Sequence, residues 1–304
     1  MGVGTSRGAG RYAPSPTGDL HLGNLRTAVL AWLFARSSGR RLLLRIEDLD
    51  SDRIRPGVAE RQVADLRSLG VTFDGEPLIQ STRRTAYAAA LARIAAQTYP
   101  CYCSRREIAE APLAPHGQPP RYPGTCRTLT AAQRAERAQT RRPAWRLRAE
   151  GAQMEITDEL HGTVRGPVDD IVVQRDDGVP AYNLAAVVDD AATGVDQVVR
   201  GDDLLAAAIT QAYLAQQLGF PRPRYAHVPL AVNERGVRLA KRDGAVTLAD
   251  LARLGVTATE VLHRIVVSLG LPPADHLDQL LPVFAPARLP REPWTVRPDA
   301  KVTA

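Results

Sequence analysis

His21 and Gly23 stand two residues apart, after the run Pro14-Ser15-Pro16-Thr17-Gly18 and before a helix-forming stretch. That order gives a constrained turn, an imidazole, and then a helix N-terminus whose unpaired N–H groups and positive dipole end attract phosphate. A glycine here lets a nucleotide approach the backbone, and the histidine can donate hydrogen bonds to phosphate oxygens. Alone, a His-x-Gly reads as a capping histidine after a Pro-rich turn; the residues around it change that reading. A second chemical feature is the cysteine set, Cys101, Cys103 and Cys126. Three cysteines cannot close a disulfide set, and their spacing fits a metal site and a group of buried free thiols equally well.

The cations are unevenly divided. Of 39 Lys+Arg only Lys241 and Lys301 are lysines, so 37 are arginine. Each surviving lysine therefore draws notice, and Lys241 lies in a charged, Gly-containing stretch, Arg238-Leu239-Ala240-Lys241-Arg242-Asp243-Gly244. A net charge of +6 and a pI near 9.5 admit a polyanionic partner such as nucleic acid.

Elements must position these residues. The 304 residues are 44% hydrophobic and 24% charged, the profile of one large globular domain or two smaller ones. No stretch approaches the roughly 18 apolar residues of a membrane span. The first ten residues are Gly- and Ser-rich without an apolar core, which argues against a signal peptide and for a cytoplasmic protein. From Arg11 the pattern predicts a short strand, the turn, and a helix with Leu25, Ala28, Val29, Trp32 and Leu33 on one buried stripe. Residues 42–46 read as a buried parallel strand, and 58–69 and 82–97 as helices. Residues 100–143 hold all three cysteines with many prolines and arginines, and look like an insertion between halves of an α/β domain. Strands are expected over 145–148, 154–156 and 171–174, a long helix over 202–218, and a hairpin over 230–239. Two further helices begin at capping boxes, Thr247 with Asp250 and Thr257 with Glu260, before an irregular tail.

The stretch from Arg11 to Asn24 resembles the first signature of class I aminoacyl-tRNA synthetases, in the form used by glutamyl and glutaminyl enzymes. Arg238 to Ala245 is similar to their second, lysine-bearing signature loop. Arg45-Ile46-Glu47-Asp48-Leu49-Asp50, Tyr182-Asn183-Leu184 through Asp190, and Val199-Arg200-Gly201-Asp202-Asp203-Leu204 look like further family blocks in the family's order. The resemblance implies an α/β chain: a Rossmann-like parallel-sheet catalytic domain in two halves, residues 1–99 and 181–245. It also implies an inserted zinc-containing subdomain over 100–180 and a short helical region with an irregular tail over 246–304, without an anticodon-binding domain.

Within the family, this length is similar to the short branch that attaches glutamate to queuosine in the anticodon loop of tRNA(Asp). The implied reaction is activation of L-glutamate by ATP to glutamyl-adenylate, followed by acyl transfer to a hydroxyl of queuosine. Implied partners are ATP with Mg²⁺, L-glutamate and queuosine-bearing tRNA(Asp), for a monomer that binds no membrane. Two alternatives are a truncated enzyme charging a tRNA 3′ end and a catalytically dead, zinc-stabilised RNA-binding paralogue.

By motif position, Arg11 and Arg200 would bind the glutamate carboxylates, since a guanidinium fork can hold both oxygens. Ser15 and Tyr182 would add hydrogen bonds, Ala13 and Pro14 would line the site, and Glu47 would pair the substrate ammonium. His21, Gly23, Asn24 and Lys241 would bind ATP, with His21 and Lys241 as the catalytic pair. The family places zinc on a Cys-x-Cys, a Tyr and a Cys, here Cys101, Cys103, Tyr122 and Cys126. The chain departs from the family at Arg238, Ala240 and Arg242 in the second signature and at Asn24 in the first. Loss of the serine hydroxyl at Ala240 would loosen pyrophosphate contacts and slow adenylation.

Overall fold

The computed structural model describes residues 8–109, 122–239 and 246–296. Ala240, Lys241, Arg242 and Lys301 lie outside the described residues.

A seven-stranded sheet runs Leu78–Ile79, Arg41–Ile46, Ala9–Tyr12, Val195–Gly201, Arg224–Val228, Gln153–Asp158 and Gly162–Pro167. All neighbours pair in parallel except the last two, which form an antiparallel hairpin. From Ala9–Tyr12 the chain builds outward in one direction, and from Val195–Gly201 it steps the other way to Arg224–Val228, beyond which the earlier strands Gln153–Asp158 and Gly162–Pro167 add. The order therefore reverses between these two strands, where an open α/β sheet leaves a crevice at the strands' carboxyl ends.

Helices cover both faces. On one side helix Leu22–Ser37 packs with Leu42, Leu44 and Ala226, and Val261, Ile265, Leu280 and Phe284 close over it. On the other side Tyr87, Leu184, Leu214 and their neighbours pack against Val198, Tyr225 and Ile156. Val198 and Val199 therefore point to opposite cores, as the two-residue period of a strand requires.

The five residues of the expected stripe on helix Leu22–Ser37 are buried, but so are Leu22, Arg26, Leu30, Ala31 and Phe34. The helix is enclosed all round because the residues after 246 pack on the face that periodicity would leave to solvent. Both capping boxes form: Thr247 accepts from the Asp250 N–H and Thr257 from the Glu260 N–H. The expected long helix is a 3₁₀ turn, Asp202–Leu204, continued by Leu205–Gln217. The tail contains 3₁₀ turns, and Trp294–Thr295 pairs in parallel with Ala231–Val232.

The insertion forms a separate three-stranded antiparallel sheet of Thr98–Cys101, Ala144–Leu147 and Ile171–Gln174. Residues 153–167, expected inside it, instead extend the main sheet: Asp158 registers against Tyr225, and Met154 and Ile156 are buried in the main core. No described helix is long and apolar enough to cross a membrane.

Candidate active site

The crevice at the reversal point is a cavity of about 1020 Å³. It is lined by Arg11, Ala13, Pro14, Ser15, His21, Gly23, Asn24, Glu47, Tyr182 and Arg200, so the structure brings together every described residue expected to bind glutamate or ATP.

The turn is built first. The Glu47 N–H donates to Pro14 O at 3.0 Å and the Arg55 N–H to Pro16 O at 3.2 Å. Gln62 donates to the carbonyls of Ser15 and Gly18 at 3.2 and 2.7 Å, although it is buried and 44 residues away from Gly18. His21 then caps helix Leu22–Ser37, its Nδ1 accepting from the N–H groups of Gly23 and Asn24 at 3.1 and 3.3 Å. An accepting Nδ1 assigns the proton of the neutral ring to Nε2. The Asn24 side chain returns the cap by accepting from the His21 N–H at 3.3 Å. A Cβ on Gly23 would lie 3.0 Å from the His21 ring and 3.1 Å from Ala231 Cβ, so packing alone calls for glycine there.

Two charged residues of the lining, Arg11 and Glu47, rest on a further buried pair, Arg45 and Asp190. Arg45 donates to Asp190 at 2.5 Å and to Glu47 Oε1 at 3.2 Å. Arg11 is buried, yet its Nε meets Asp190 only at 3.4 Å and has no hydrogen-bond partner, and its Nη1 reaches Val199 O only at 3.4 Å. Burial lowers the Arg11 pKa, with Asp190 opposing. Burial alone would raise Asp190, but Arg45 and Arg11 outweigh it and hold the carboxyl below its usual range. Burial raises Glu47 despite Arg45 and Arg11. Arg11 is thus a desolvated cation facing a cavity with spare donors, an arrangement that favours a bound carboxylate.

Arg200, also buried, is held from behind. Its Nε donates to His227 Nε2 at 3.1 Å, Nη1 to Gln211 Oε1 at 2.9 Å and Nη2 to Leu204 O at 3.2 Å. Tyr182 remains 42% exposed at the cavity and accessible to a ligand.

The segment that carries Lys241 has both of its flanks anchored at this cavity. Arg238 pairs with Asp203, and the Leu239 N–H donates to Ala231 O at 3.2 Å. On the far flank, Val246 O accepts from the Leu22 N–H at 3.2 Å and Thr247 bridges His21.

In the insertion the sulfurs of Cys101, Cys103 and Cys126 lie within 4.8 Å of one another. Cys103 and Cys126 sulfurs are 3.5 Å apart, close to the about 3.8 Å edge of a tetrahedron with zinc–sulfur bonds near 2.3 Å. The Tyr122 hydroxyl sits 3.4 Å from Cys101 Sγ and 4.0 Å from Cys103 Sγ, and it accepts from the Cys126 N–H at 2.8 Å. Three thiols and a phenolic oxygen converge on one point, a donor set that could hold a metal ion. Asp169 fixes the loop by accepting from the Tyr122 N–H at 2.6 Å, and the Arg146 guanidinium lies 3.8 Å over the Tyr122 ring.

Sequence reasoning assigned no role to Arg45, Asp190, Gln62, Asp158 or His227. Arg45 follows Leu-Leu-Leu and Asp189-Asp190 interrupts an Ala/Val run, and an unpaired charge in such a run is costly enough to signal a buried partner. Nothing local marks Gln62, whose partners are distant in sequence.

A family model for class I tRNA synthetases (E and Q), catalytic domain, matches residues 9–280. Two similar proteins are named glutamyl-Q tRNA(Asp) synthetase. That of Nocardia farcinica is 64% identical over 293 residues, with 95% of this chain and 93% of the relative covered. That of Symbiobacterium thermophilum is 46% identical over 304 residues, with 93% and 94% covered. Among solved structures, glutamate-tRNA synthetase of Elizabethkingia anophelis superposes with a TM-score of 0.80 at 25% identity, over 96% of this chain and 68% of that one. A reversal-point cavity lined by the first signature and by Arg238 and Leu239 at the start of the second agrees with the match over most of the sequence: the chain belongs to the class I tRNA synthetases of the glutamate and glutamine type.

Proposed function

We propose that the chain activates L-glutamate with ATP and transfers the glutamyl group to queuosine in the anticodon loop of tRNA(Asp), in the cytoplasm. The observation that carries the chemistry is the pair of buried guanidiniums, Arg11 and Arg200, with the Glu47 carboxylate on one cavity. Glutamate brings two carboxylates and one ammonium, so this set matches it in number and sign. The names and high identity of the relatives support queuosine on tRNA(Asp) as acceptor.

In the first step one oxygen of the α-carboxylate attacks the α-phosphorus of ATP. The bond from that phosphorus to the bridging oxygen breaks, and pyrophosphate leaves with the electron pair. Arg11 and Arg200 bind the carboxylates and Glu47 the ammonium, which fixes the attacking oxygen in line. The Nε2–H of His21, together with the helix N-terminus, would donate to phosphate oxygens as their charge redistributes. Lys241 would meet the leaving pyrophosphate; the anchoring of its segment's flanks, one at Asp203 and Ala231 and the other beside His21, supports this. Mg²⁺ would come with ATP and neutralise phosphate charge, held largely by the nucleotide's own oxygens. In the second step a queuosine hydroxyl oxygen attacks the acyl carbon and gives up its proton, the bond from the acyl carbon to the phosphate oxygen breaks, and AMP leaves with that electron pair, its phosphate able to take the proton.

Zinc fits Cys101, Cys103, Tyr122 and Cys126, where it would supply a structural cross-link with no open position for catalysis.

The test is incubation with labelled glutamate, ATP and tRNA(Asp) with and without queuosine. Label is expected only on queuosine-containing tRNA, and in the anticodon fragment after digestion. Labelling indifferent to queuosine, or found at the 3′ end, would reject the acceptor. Glutamate-dependent ATP–pyrophosphate exchange is expected without any tRNA.

A further inference from the structure

Asp158, His227 and Gln211 are buried polar residues that the chemistry above does not use. None of them lines the cavity. They meet behind Arg200, and their donor and acceptor inventory leaves one arrangement.

The Asp158 carboxylate accepts from the backbone N–H groups of Leu160 and His161, both at 2.9 Å, and from that of His227 at 3.1 Å. Its Oδ2 also lies 2.6 Å from His227 Nδ1. Burial alone would raise its pKa, but the His227 ring and these N–H groups outweigh it, so the group stays ionised and can only accept. Nδ1 must therefore carry the proton. At the other side of the ring Nε2 faces Arg200 Nε, an obligate donor, at 3.1 Å. Both neighbours demand the same neutral tautomer, and Tyr225, stacked 5.6 Å from the His227 ring, holds its plane.

Arg200 has five N–H donors. His227, Gln211 and Leu204 take three, leaving one on each terminal nitrogen without a partner among the described residues. One donor on each of Nη1 and Nη2 is what a bidentate carboxylate contact needs.

We propose that His227, fixed by Asp158, is a positioning residue for glutamate recognition: its Nε2 lone pair holds the Arg200 guanidinium so that both terminal nitrogens present a donor to a substrate carboxylate. The inference rests on Arg200 binding glutamate, as read above, and adds a residue that never touches the substrate. Gln211 extends the arrangement to the start of helix Tyr182–Thr193, donating to Asn183 Oδ1 at 3.1 Å beside Tyr182.

The experiment is ATP–pyrophosphate exchange on the full chain, with KM for glutamate and for ATP measured separately. His227→Leu keeps the volume and removes the acceptor. It should raise the glutamate KM roughly 10- to 100-fold, the size of one lost hydrogen bond to a charged group, with the ATP KM and kcat within about twofold. His227→Gln, whose Oε1 can accept near the position of Nε2, should recover most of that loss. Asp158→Asn, which releases the tautomer, should fall between wild type and the leucine variant. An unchanged glutamate KM in His227→Leu overturns the proposal, as do leucine and glutamine variants that behave alike. Should the leucine variant not fold by circular dichroism, Asp158→Asn decides against His227→Gln: a raised glutamate KM only in the former supports the proposal, and wild-type values in both overturn it. Absence of glutamate-dependent exchange in the wild-type chain instead rejects the site reading itself, a result distinct from an active wild type with indifferent variants.

Discussion

Arg11 sits among groups that nearly satisfy it, and the shortfall is what makes it useful. A buried guanidinium with one distant carboxylate gains strongly from a ligand carboxylate, so Arg11→Met should raise the glutamate KM roughly 10- to 100-fold at unchanged ATP KM in pyrophosphate exchange. Asp190 acts in the opposite sense, keeping Arg11 and Arg45 from facing each other as unscreened cations. Its pKa is lower in the fold than in the unfolded chain, so its stabilisation is complete above about pH 4 and lost as pH falls through the folded value. Asp190→Asn should cost roughly 3–5 kcal/mol in urea unfolding at neutral pH and flatten the acid limb of the stability curve, because two buried charges lose a partner. Arg45 and Glu47 adjoin in a recognisable block, but that Asp190 joins them from 145 residues away could not be read from their types alone.

Among elements, the Pro14–Gly18 turn and the cysteine loop depend on reach across the chain. Gln62 on helix Val58–Ser68 satisfies two turn carbonyls, and Gln62→Leu should cost about 1–3 kcal/mol in urea unfolding while raising the glutamate KM in pyrophosphate exchange, since the turn carries Pro14 and Ser15. The turn, the capping boxes and most of the helices were legible because each is set within a few residues of sequence, whereas helices Ala131–Ala138 and Tyr182–Thr193 were not expected. The strands Thr98–Cys101 and Gly162–Pro167 were not, since Pro100 and the exposed residues of the second weaken any alternation, and pairing alone makes them strands. The cysteine loop has Asp170 at its base, accepting from Arg127 Nε and the Ala149 N–H, both at 2.8 Å, and from the Tyr99 hydroxyl. If zinc closes this loop, the purified protein should contain one equivalent by elemental analysis. Chelation or Cys126→Ser should then lower the thermal midpoint by several degrees while leaving pyrophosphate exchange measurable, because the main sheet does not depend on the insertion's three strands.

For the whole molecule, the net charge of +6 acquires a proposed partner, and binding of tRNA(Asp) should weaken steeply with salt. A linear fall of log affinity against log salt, measured by fluorescence anisotropy, would count the phosphates engaged; a flat dependence would exclude a backbone-dominated contact. The order of the motifs, the helical caps, the α/β class and many of the residues that line the cavity were determined by sequence alone, because signatures and caps are local patterns of residue type. Tertiary structure decided what those residues lean on. Asp190 beneath Arg11, Asp158 and His227 behind Arg200, and the C-terminal helices sealing Leu22–Ser37 all join segments far apart in the chain. Such contacts depend on strand order, and no spacing along the chain encodes which strands become neighbours. The cavity itself exists because the sheet reverses its order between Ala9–Tyr12 and Val195–Gly201, a property of the assembled sheet and of no single segment.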